Sequence, residues 1–223
     1  AVTMSRDMLS YEVGEMKRFG ISKARLRLIA LKFVQNFSFR RSQGVIFLTE
    51  YAAKEIQKSC GPLKNIKIIP RGVSENFRIK KSINIKKKSH DAFDLIYVSN
   101  VDHYKHQWNV VAAVGILNAT KLDLSLTLIG NSEGRASKKL QRQMLISDPK
   151  NEFVKLLPFL PHQNLPQYLA KADIFIFASS CENMPNTLIE GMAAGLPIAC
   201  SDRGPMPEVL GSAGVYFDPE SVV

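Results

Sequence analysis

The chain has 223 residues, of which 45% are hydrophobic, and it carries a formal net charge of +10. This length allows one large domain or two small ones, with enough apolar residues to bury a core. No apolar run approaches the roughly 18 residues that a membrane-spanning helix needs, and no signal peptide is visible. The 3 cysteines are widely spaced, which excludes a disulfide framework or a cysteine-based metal site and indicates a reducing compartment.

The positive charge is confined to the first part of the chain. Residues 1–92 contain 20 Lys and Arg against 7 Asp and Glu, whereas residues 93–223 contain 10 against 13. A basic first part and a near-neutral second part predict an anionic partner for the first part alone. The candidates are a membrane surface, a lipid-linked phosphate acceptor and nucleic acid.

Short apolar runs and helical patterns alternate in the first 73 residues and predict a small α/β arrangement. Ala1–Tyr11 has no clear periodicity, and the polar stretch 12–20 is predicted to be partly helical. Thr49 is a plausible N-cap, and Gly61 followed by Pro62 ends the helix that begins after it. The remaining predicted elements are a helix over 23–41, a strand over 44–48, a helix over 50–59 and a strand over 66–69.

The predicted helix over 23–41 has one apolar face with basic residues elsewhere. Its apolar residues at helical spacing are Leu26, Ile29, Ala30, Phe33 and Phe37. Two interpretations remain open. The helix either packs this face on the protein and solvates its basic residues, or it lies near anionic lipid head groups.

Residues 74–92 are predicted to be the domain boundary. The segment is polar, has few apolar residues and contains five lysines, at positions 80, 81, 86, 87 and 88. Such a composition is typical of a flexible, solvated linker.

Strands and helices alternate again from Phe93, which predicts a parallel, doubly wound sheet. Strands are predicted over 93–99, 124–129, 153–157, 173–179, 196–201 and 215–217. Helices are predicted over 110–118, 137–146, 165–172 and 187–194.

Residues 173–201 contain the segment that the sequence marks most clearly as a ligand site. A strand over 173–179 is followed by a loop over 181–186, a helix that ends at Gly195, and a second strand. This βαβ unit places a helix N-terminus at the carboxyl edge of a parallel sheet. Ligands bind at that edge, because the first helical N–H groups are unpaired and the helix dipole is positive there.

Two carboxylates lie in this unit, Glu182 in the loop and Glu190 in the helix. A carboxylate repels phosphate but accepts hydrogen bonds from sugar hydroxyls. A phosphate at the helix tip, flanked by two acids, therefore suggests a nucleotide-sugar. The alternative is that Glu182 is a solvated loop acid and Glu190 a partly exposed helix acid.

The run from Glu182 to Glu190, followed by GMAAGLPI and SDRGPMPEVLGSAGVYFDP, resembles the donor-binding half of the GT-B glycosyltransferases. More narrowly, it resembles the retaining family 4, which carries a Glu-x7-Glu motif. The likeness extends from about Asp7 to Pro219. It implies an α/β GT-B fold in which residues 1–73 are the end of an acceptor-side domain, 74–92 an interdomain linker, and 93–223 a Rossmann-like domain for the nucleotide-sugar. Both ends look cut, so we expect this piece to bind nucleotide weakly and to turn over poorly.

The resemblance also implies roles for individual residues. Lys105, in the loop after the strand over 93–99, would contact the diphosphate, and Glu182 would bind donor-sugar hydroxyls near the reacting carbon. Glu190 would hold the ribose hydroxyls. Asn100 stands where the family often has an arginine, which leaves the second phosphate cation in doubt. The donor-binding residues expected besides Glu190 are Asn100, Gly130, Phe159, Asn183, Met184, Pro185, Asn186, Thr187 and Leu188.

The resemblance implies a metal-independent hexosyltransferase that retains configuration and uses no cofactor, its donor being a GDP- or UDP-linked sugar. The expected acceptor is a glycan or a lipid-linked molecule in polysaccharide or glycolipid biosynthesis. The expected location is the cytoplasm, with peripheral attachment to the inner face of the cytoplasmic membrane. No nucleic-acid partner is expected. Two alternatives are a dinucleotide-binding oxidoreductase, which the lack of a G-x-G-x-x-G after a first strand disfavours, and a non-catalytic basic module that binds nucleic acid or membrane.

Overall fold

The computed structural model of the chain describes residues 1–79 and 92–222. Of the Lys-rich linker predicted over 74–92, residues 80–91 lie outside the described residues. The described part of that segment is not wholly solvated, because a 3-10 turn over Glu75–Phe77 places the Phe77 side chain in the interior.

The described residues divide into two compact units. Unit 1 comprises Ala1–Gly72 together with two later segments, Cys181–Pro185 and Arg203–Val209. Unit 2 comprises the other described residues, from Val73 onward. The domain boundaries predicted from the sequence place both later segments, Cys181–Pro185 and Arg203–Val209, in the second domain and not in the first.

Unit 1 is built on a parallel sheet of three strands in the order β1-β2-β3. Strand β1 pairs with β2 in a stretch that has no sequence periodicity, so the sequence did not predict it. The helix over Lys23–Arg41 begins and ends at the predicted residues. The elements are β1 (Val2–Met4), α1 (Glu15–Arg18), α2 (Lys23–Arg41), β2 (Gly44–Phe47), α3 (Glu50–Cys60) and β3 (Ile66–Ile68).

The apolar face predicted to pack on the protein is instead the exposed face of α2. All five of its residues are exposed, with Leu26 at 69% and Phe33 at 71%. The inward side is made by a second set of apolar residues, among which Phe39 is 4% exposed. The packed-face interpretation was therefore wrong, because the helix is apolar on two sides and its periodicity did not identify the one that faces the sheet. In the described part of the chain, no helix has the length and apolar content needed to cross a bilayer.

Unit 2 contains a six-stranded, all-parallel sheet in the order β6-β5-β4-β7-β8-β9. The predicted doubly wound parallel sheet is thus confirmed. Its elements are β4 (Phe93–Val98), α4 (Gln107–Ala119), β5 (Leu124–Ile129), α5 (Gly134–Ser147), β6 (Val154–Leu157), α6 (Leu165–Leu169), β7 (Ile174–Phe177), α7 (Asn186–Ala193), β8 (Ile198–Ser201), α8 (Met206–Leu210) and β9 (Val215–Phe217).

The strand order of this sheet reverses between β4 and β7. The chain first builds outward from β4 through β5 to β6, and then returns to the other side of β4 with β7. In such sheets, ligands bind in the crevice outside the carboxyl ends of the strands at the point of reversal. The loop after β4 and the loop after β7 both begin there.

Close packing holds α7 against this sheet. A methyl group on Gly191 would lie 2.8 Å from the Phe175 ring on β7, so only glycine allows this helix to approach the strand so closely. Both Phe175 and Leu188 of α7 are fully buried. The N-terminus of α7 is therefore fixed relative to β7 by the core itself.

Replacing Asp148 with asparagine should lower stability by about 2–4 kcal/mol at neutral pH, because the carboxylate accepts three backbone hydrogen bonds ahead of β6. The donors are the N–H groups of Glu152, Phe153 and Val154, at 2.7, 2.9 and 2.7 Å. Burial raises the pKa of Asp148, but these bonds outweigh it and the pKa lies below its ordinary value. The carboxylate therefore stabilises the fold above the unfolded-state pKa of about 3.9, and this contribution is lost as the pH falls through the lower folded-state pKa.

Urea unfolding at pH 7 and at about pH 3, below the unfolded-state pKa, measures this contribution. The difference in unfolding free energy between wild type and the asparagine variant should be larger at pH 7 than at about pH 3. Asp123→Asn, at an exposed aspartate of the same unit, is the control and should change little at either pH. A gap that is small at pH 7, or that widens on acidification, would contradict this account of Asp148.

Candidate functional site

The loops after β4 and β7 are joined by hydrogen bonds at the point where the strand order reverses. The Ser180 N–H donates to the Tyr104 carbonyl at 2.8 Å. The His106 ring lies 2.9 Å from the Ser180 hydroxyl through Nε2, and His106 is only 2% exposed. These contacts give the loop that carries Lys105 a defined position beside the end of β7.

Lys105 lies at the carboxyl edge of the sheet, as the sequence predicts for a residue in this loop. Its backbone carbonyl accepts a hydrogen bond from the Tyr97 hydroxyl at 2.8 Å. Its Nζ lies 5.6 Å from the centre of the Phe177 ring, which ends β7, and 4.9 Å from that of Tyr104. The ammonium group is thus in cation–π contact with two rings at the carboxyl edge of the sheet, the edge at which such sheets bind ligands.

Asn100 and Gly130 lie together where the loops after β4 and β5 meet. The Asn100 Oδ1 accepts a hydrogen bond from the Asn131 N–H at 3.0 Å, so this side chain joins two loops. Gly130 has a φ of 153°, and a methyl group there would collide with the Ser99 carbonyl and lie 2.8 Å from the Asn100 nitrogen. The close approach that requires glycine is therefore between the two loops, which gives Gly130 a packing role whether or not it also contacts a ligand.

The N-terminus of α7 offers backbone N–H groups at the same edge of unit 2. Asn186 is exposed, Thr187 is half-buried, and the Leu188 side chain is fully buried in the core. The contribution of Leu188 to a ligand is therefore limited to its backbone. The first N–H groups of a helix have no intrahelical partner and favour anions.

Glu190 contacts a residue from the loop after β6. Its Oε1 lies 2.7 Å from Nε2 of His162, and the carboxylate side chain is 11% exposed. The His162 ring in turn lies against Phe77, with ring centres 4.9 Å apart. The loop after β6 thus reaches α7, although β5 and β4 separate β6 from β7 in the sheet. The predicted base-binding residue Phe159 belongs to the same loop and is 62% exposed.

The loop over residues 181–185 is held within unit 1. The Thr49 hydroxyl donates to the Asn183 carbonyl at 3.1 Å and accepts from the Ala52 N–H at 3.1 Å as the predicted N-cap of α3. The Asn183 Nδ2 donates to the Ser5 hydroxyl at 2.9 Å. The Nδ2 of Asn183 therefore has its hydrogen-bond partner within unit 1. Glu182 and Met184 are half-buried, and Pro185 is buried.

The structure brings the predicted residues of unit 2 into two groups. Lys105, Asn100 and Gly130 lie on the joined strand-end loops, and Glu190 and Phe159 share the region of α7 and the loop after β6. Their roles toward a ligand remain predictions. Among residues 1–79 and 92–222, no group of three or more His, Cys, Asp or Glu has a geometry suited to a metal ion.

Sequence reasoning missed two residues next to this site, His162 and Phe77. A histidine 28 residues before Glu190, after a different strand, carries no local signal that it will contact that carboxylate. Phe77 was assigned to a solvated linker because its neighbours are polar. His106, next to Lys105, has a φ of 51°, and its contact with Ser180 helps to set the shape of the loop that carries Lys105.

A sequence model of one protein family, described as glycosyl transferases group 1, matches residues 78–222. Among curated proteins, the chain is 28% identical over 165 residues to the amylovoran biosynthesis glycosyltransferase AmsK of Erwinia amylovora, covering 70% of this chain and 38% of that protein. It is 31% identical over 80 residues to the O-antigen chain mannosyltransferase B of Escherichia coli, covering 36% of this chain and 21% of that protein. The chain spans less than half the length of these relatives.

Solved structures share the fold at low sequence identity. Sucrose-phosphate synthase from Thermosynechococcus elongatus matches with a TM-score of 0.77 and 17% identity, over 99% of this chain and 55% of that one. Anabaena HepE in complex with UDP-glucose matches with a TM-score of 0.75 and 21% identity, over 99% of this chain and 59% of that one. Together with the parallel sheets of the two units, these likenesses establish the GT-B type α/β fold.

Proposed function

Because the chain belongs to the glycosyl transferases group 1 family, we propose that it transfers a sugar from a nucleotide-diphospho-sugar to an acceptor hydroxyl. The observation that carries this proposal is the position of Lys105. A lysine is held over two aromatic rings at the point of strand-order reversal in unit 2, at the edge where α7 begins. A cation and unpaired helical N–H groups at one sheet edge suit a diphosphate.

In the proposed reaction, the bond between the sugar carbon and the β-phosphate oxygen breaks and the diphosphate keeps the electron pair. The oxygen of the acceptor hydroxyl forms the new bond to the same carbon, and its proton passes to the departing diphosphate. Lys105 and the first N–H groups of α7 stabilise the charge that develops on this leaving group. This role needs no bound metal, since the cation and the helix terminus supply the positive potential. We therefore propose a metal-independent transfer, with no cofactor besides the donor itself.

Glu182 is the proposed contact for the hydroxyls of the donor sugar near the reacting carbon. Its loop is held through Asn183 by Thr49 and Ser5. We propose that configuration is retained, in line with the Glu-x7-Glu pattern of the family, and that Glu182 orients the sugar without becoming covalently attached. Asn183, Met184, Pro185, Asn186 and Thr187 would line the sugar and diphosphate.

The proposed donor carries UDP or GDP. UDP is supported by the HepE structure, which holds UDP-glucose, and a mannosyl donor is supported by the name of the E. coli relative. The proposed product is a surface polysaccharide or a glycolipid, since the relatives include O-antigen and amylovoran glycosyltransferases. The acceptor is then a growing glycan or a lipid-linked sugar.

Replacing Glu190 with alanine should weaken binding of UDP and GDP by about tenfold or more, because a hydrogen bond between the ribose and a carboxylate is lost. Isothermal titration of the 223-residue chain with each nucleotide measures the change. Glu220→Ala, at an exposed acid near the end of the chain, is the control and should leave both affinities unchanged. Equal binding by the Glu190 variant and the wild type would contradict the assignment of the ribose contact.

We also propose that the exposed face of α2 lies on an anionic membrane surface. Leu26, Phe33, Val34 and Phe37 are each more than half exposed along this helix. Lys23 and Arg27 stand at its start, Arg40 and Arg41 stand at its end, and no acidic residue occurs between them. Exposed apolar side chains between basic ends suit contact with an anionic lipid surface, which attracts the basic residues. This placement agrees with a peripheral position at the membrane and a lipid-linked acceptor.

Sedimentation with vesicles tests the membrane surface. The chain should sediment with vesicles of equal parts phosphatidylglycerol and phosphatidylcholine, and much less with phosphatidylcholine alone. Phe33→Asn combined with Phe37→Asn should abolish sedimentation, whereas Leu145→Asn combined with Ile146→Asn, at similarly exposed residues of α5, should not. The proposal fails if the double variant of α2 sediments with vesicles like wild type. It also fails if the two substitutions alter the oligomeric state of the protein but not its sedimentation with vesicles.

A further inference from the structure

We infer that His162 is a positioning residue that aims the Glu190 carboxylate at the ribose of the bound nucleotide. This inference rests on the proposed function, in which Glu190 binds the ribose hydroxyls. The contact that carries it is the 2.7 Å distance between His162 Nε2 and Glu190 Oε1.

The direction of this hydrogen bond follows from the chemistry of its two groups. An ionised carboxylate only accepts, so the Nε2 of His162 must carry the proton and donate it. With Oε1 engaged, the plane of the carboxylate is fixed, and Oε2 is the oxygen that we assign to the ribose. A carboxylate side chain has three rotatable bonds, and holding one oxygen removes most of the freedom that binding would otherwise have to remove.

Phe77 gives His162 its own orientation. Phe77 is 1% exposed, and its ring lies 4.9 Å from the imidazole ring. The 3-10 turn over Glu75–Phe77 that carries it packs against α7, the helix that contains Glu190. The imidazole is therefore fixed on one side by a buried ring and on the other by the carboxylate, even though the His162 side chain is 62% exposed.

A second reading of the same contacts is purely structural, with His162 only joining the loop after β6 to α7. The two readings predict different ligand behaviour. A positioning role changes how strongly the protein distinguishes ribose from a sugar that lacks the 2′ and 3′ hydroxyls. A structural role changes thermal stability, or affinity for all nucleotides alike.

The experiment titrates the 223-residue chain with UDP, GDP and their 2′,3′-dideoxy analogues. Wild type should bind the better ribonucleotide about tenfold or more tightly than its dideoxy analogue. His162→Phe keeps the ring contact with Phe77 but cannot donate, so the two affinities should come within about threefold of each other, mainly through weaker ribonucleotide binding. His162→Gln retains an N–H donor and should recover most of the discrimination.

Gln163→Ala, at an exposed neighbour in the same turn, is the control and should leave the discrimination unchanged. Melting curves of all variants show that each is folded. The positioning role would be overturned if His162→Phe distinguished the ribonucleotide from its dideoxy analogue as well as wild type does. It would also be overturned if this variant lost affinity equally for the two ligands. The proposed function would stand in both cases. Failure of the wild type to bind any of the nucleotides would overturn the proposed function and this inference with it.

Discussion

Replacing Lys105 with alanine is expected to lower the rate of the proposed sugar transfer by about 10²- to 10³-fold, the usual loss when one group that stabilises developing charge is removed. The Lys105 ammonium lies over the Phe177 and Tyr104 rings at the carboxyl edge of the unit 2 sheet. If it contacts the diphosphate, its loss removes the positive charge that the leaving group needs. Binding of nucleoside diphosphate should weaken as well, whereas binding of the nucleoside without phosphates should not change.

Two further variants separate the charge of Lys105 from its packing. Lys105→Arg keeps the charge and the cation–π contact, and should retain more activity than the alanine variant. Lys171→Ala removes an exposed lysine that precedes β7, at the opposite edge of the sheet, and should have no effect. If Lys105→Ala weakens nucleoside and nucleoside diphosphate equally, the lysine supports the fold and does not contact phosphate.

Replacing Gly130 with alanine is expected to destabilise the protein by about 3–5 kcal/mol, near the upper end for a single substitution. The added methyl group would collide with the Ser99 carbonyl and lie 2.8 Å from the Asn100 nitrogen. Both are backbone atoms of the adjacent loop and cannot turn aside as a side chain could. The φ of 153° adds strain for any residue other than glycine. The melting temperature should fall by about 10 °C.

Gly134 provides a matched control for this substitution. It also has a positive φ, of 72°, but a methyl group there meets nothing within 4 Å. Gly134→Ala should therefore cost only about 1 kcal/mol, which reflects the backbone strain alone. Thermal unfolding of the two variants under the same conditions measures the difference. Similar losses in both would show that the approach of the two loops does not require glycine at position 130.

The sequence predicts the strands of unit 2 well because most of them are short, mainly apolar runs bounded by polar or turn residues. The bounds of β5 and β9 agree with the prediction, and those of the other strands differ by one or two residues. A strand buried on both faces needs continuous apolar sequence, and this signal is local. The alternation of strands and helices predicts that the sheet is parallel, whereas the order of its strands was not predicted.

The errors arise where tertiary contacts outweigh local pattern. Strand β1 has three residues and no periodicity, and it forms because β2 offers an edge for pairing. Helix α2 begins and ends as predicted, but it is apolar on two sides, and only contact with the rest of unit 1 decides which side is buried. Phe77 is buried within a polar segment for the same reason.

The candidate site was predictable to the extent that it follows from topology. Lys105 follows a strand at the reversal point, and its place at the carboxyl edge of the sheet is a consequence of that position. The partners of the site residues were not predictable, because they come from distant parts of the chain. His162 meets Glu190 across 28 positions, and Thr49 meets Asn183 across 134. Such contacts leave no trace in the spacing of residues along one segment.

A calorimetric titration of the 223-residue chain with UDP, GDP, ADP and NAD under identical conditions tests the nucleotide site most directly. UDP or GDP should bind saturably with one site per chain, and NAD should bind more weakly or not at all. Preferred binding of NAD would favour an oxidoreductase on a similar sheet. Binding of none of the four would contradict the claim that the crevice between β4 and β7 is built for a nucleoside diphosphate.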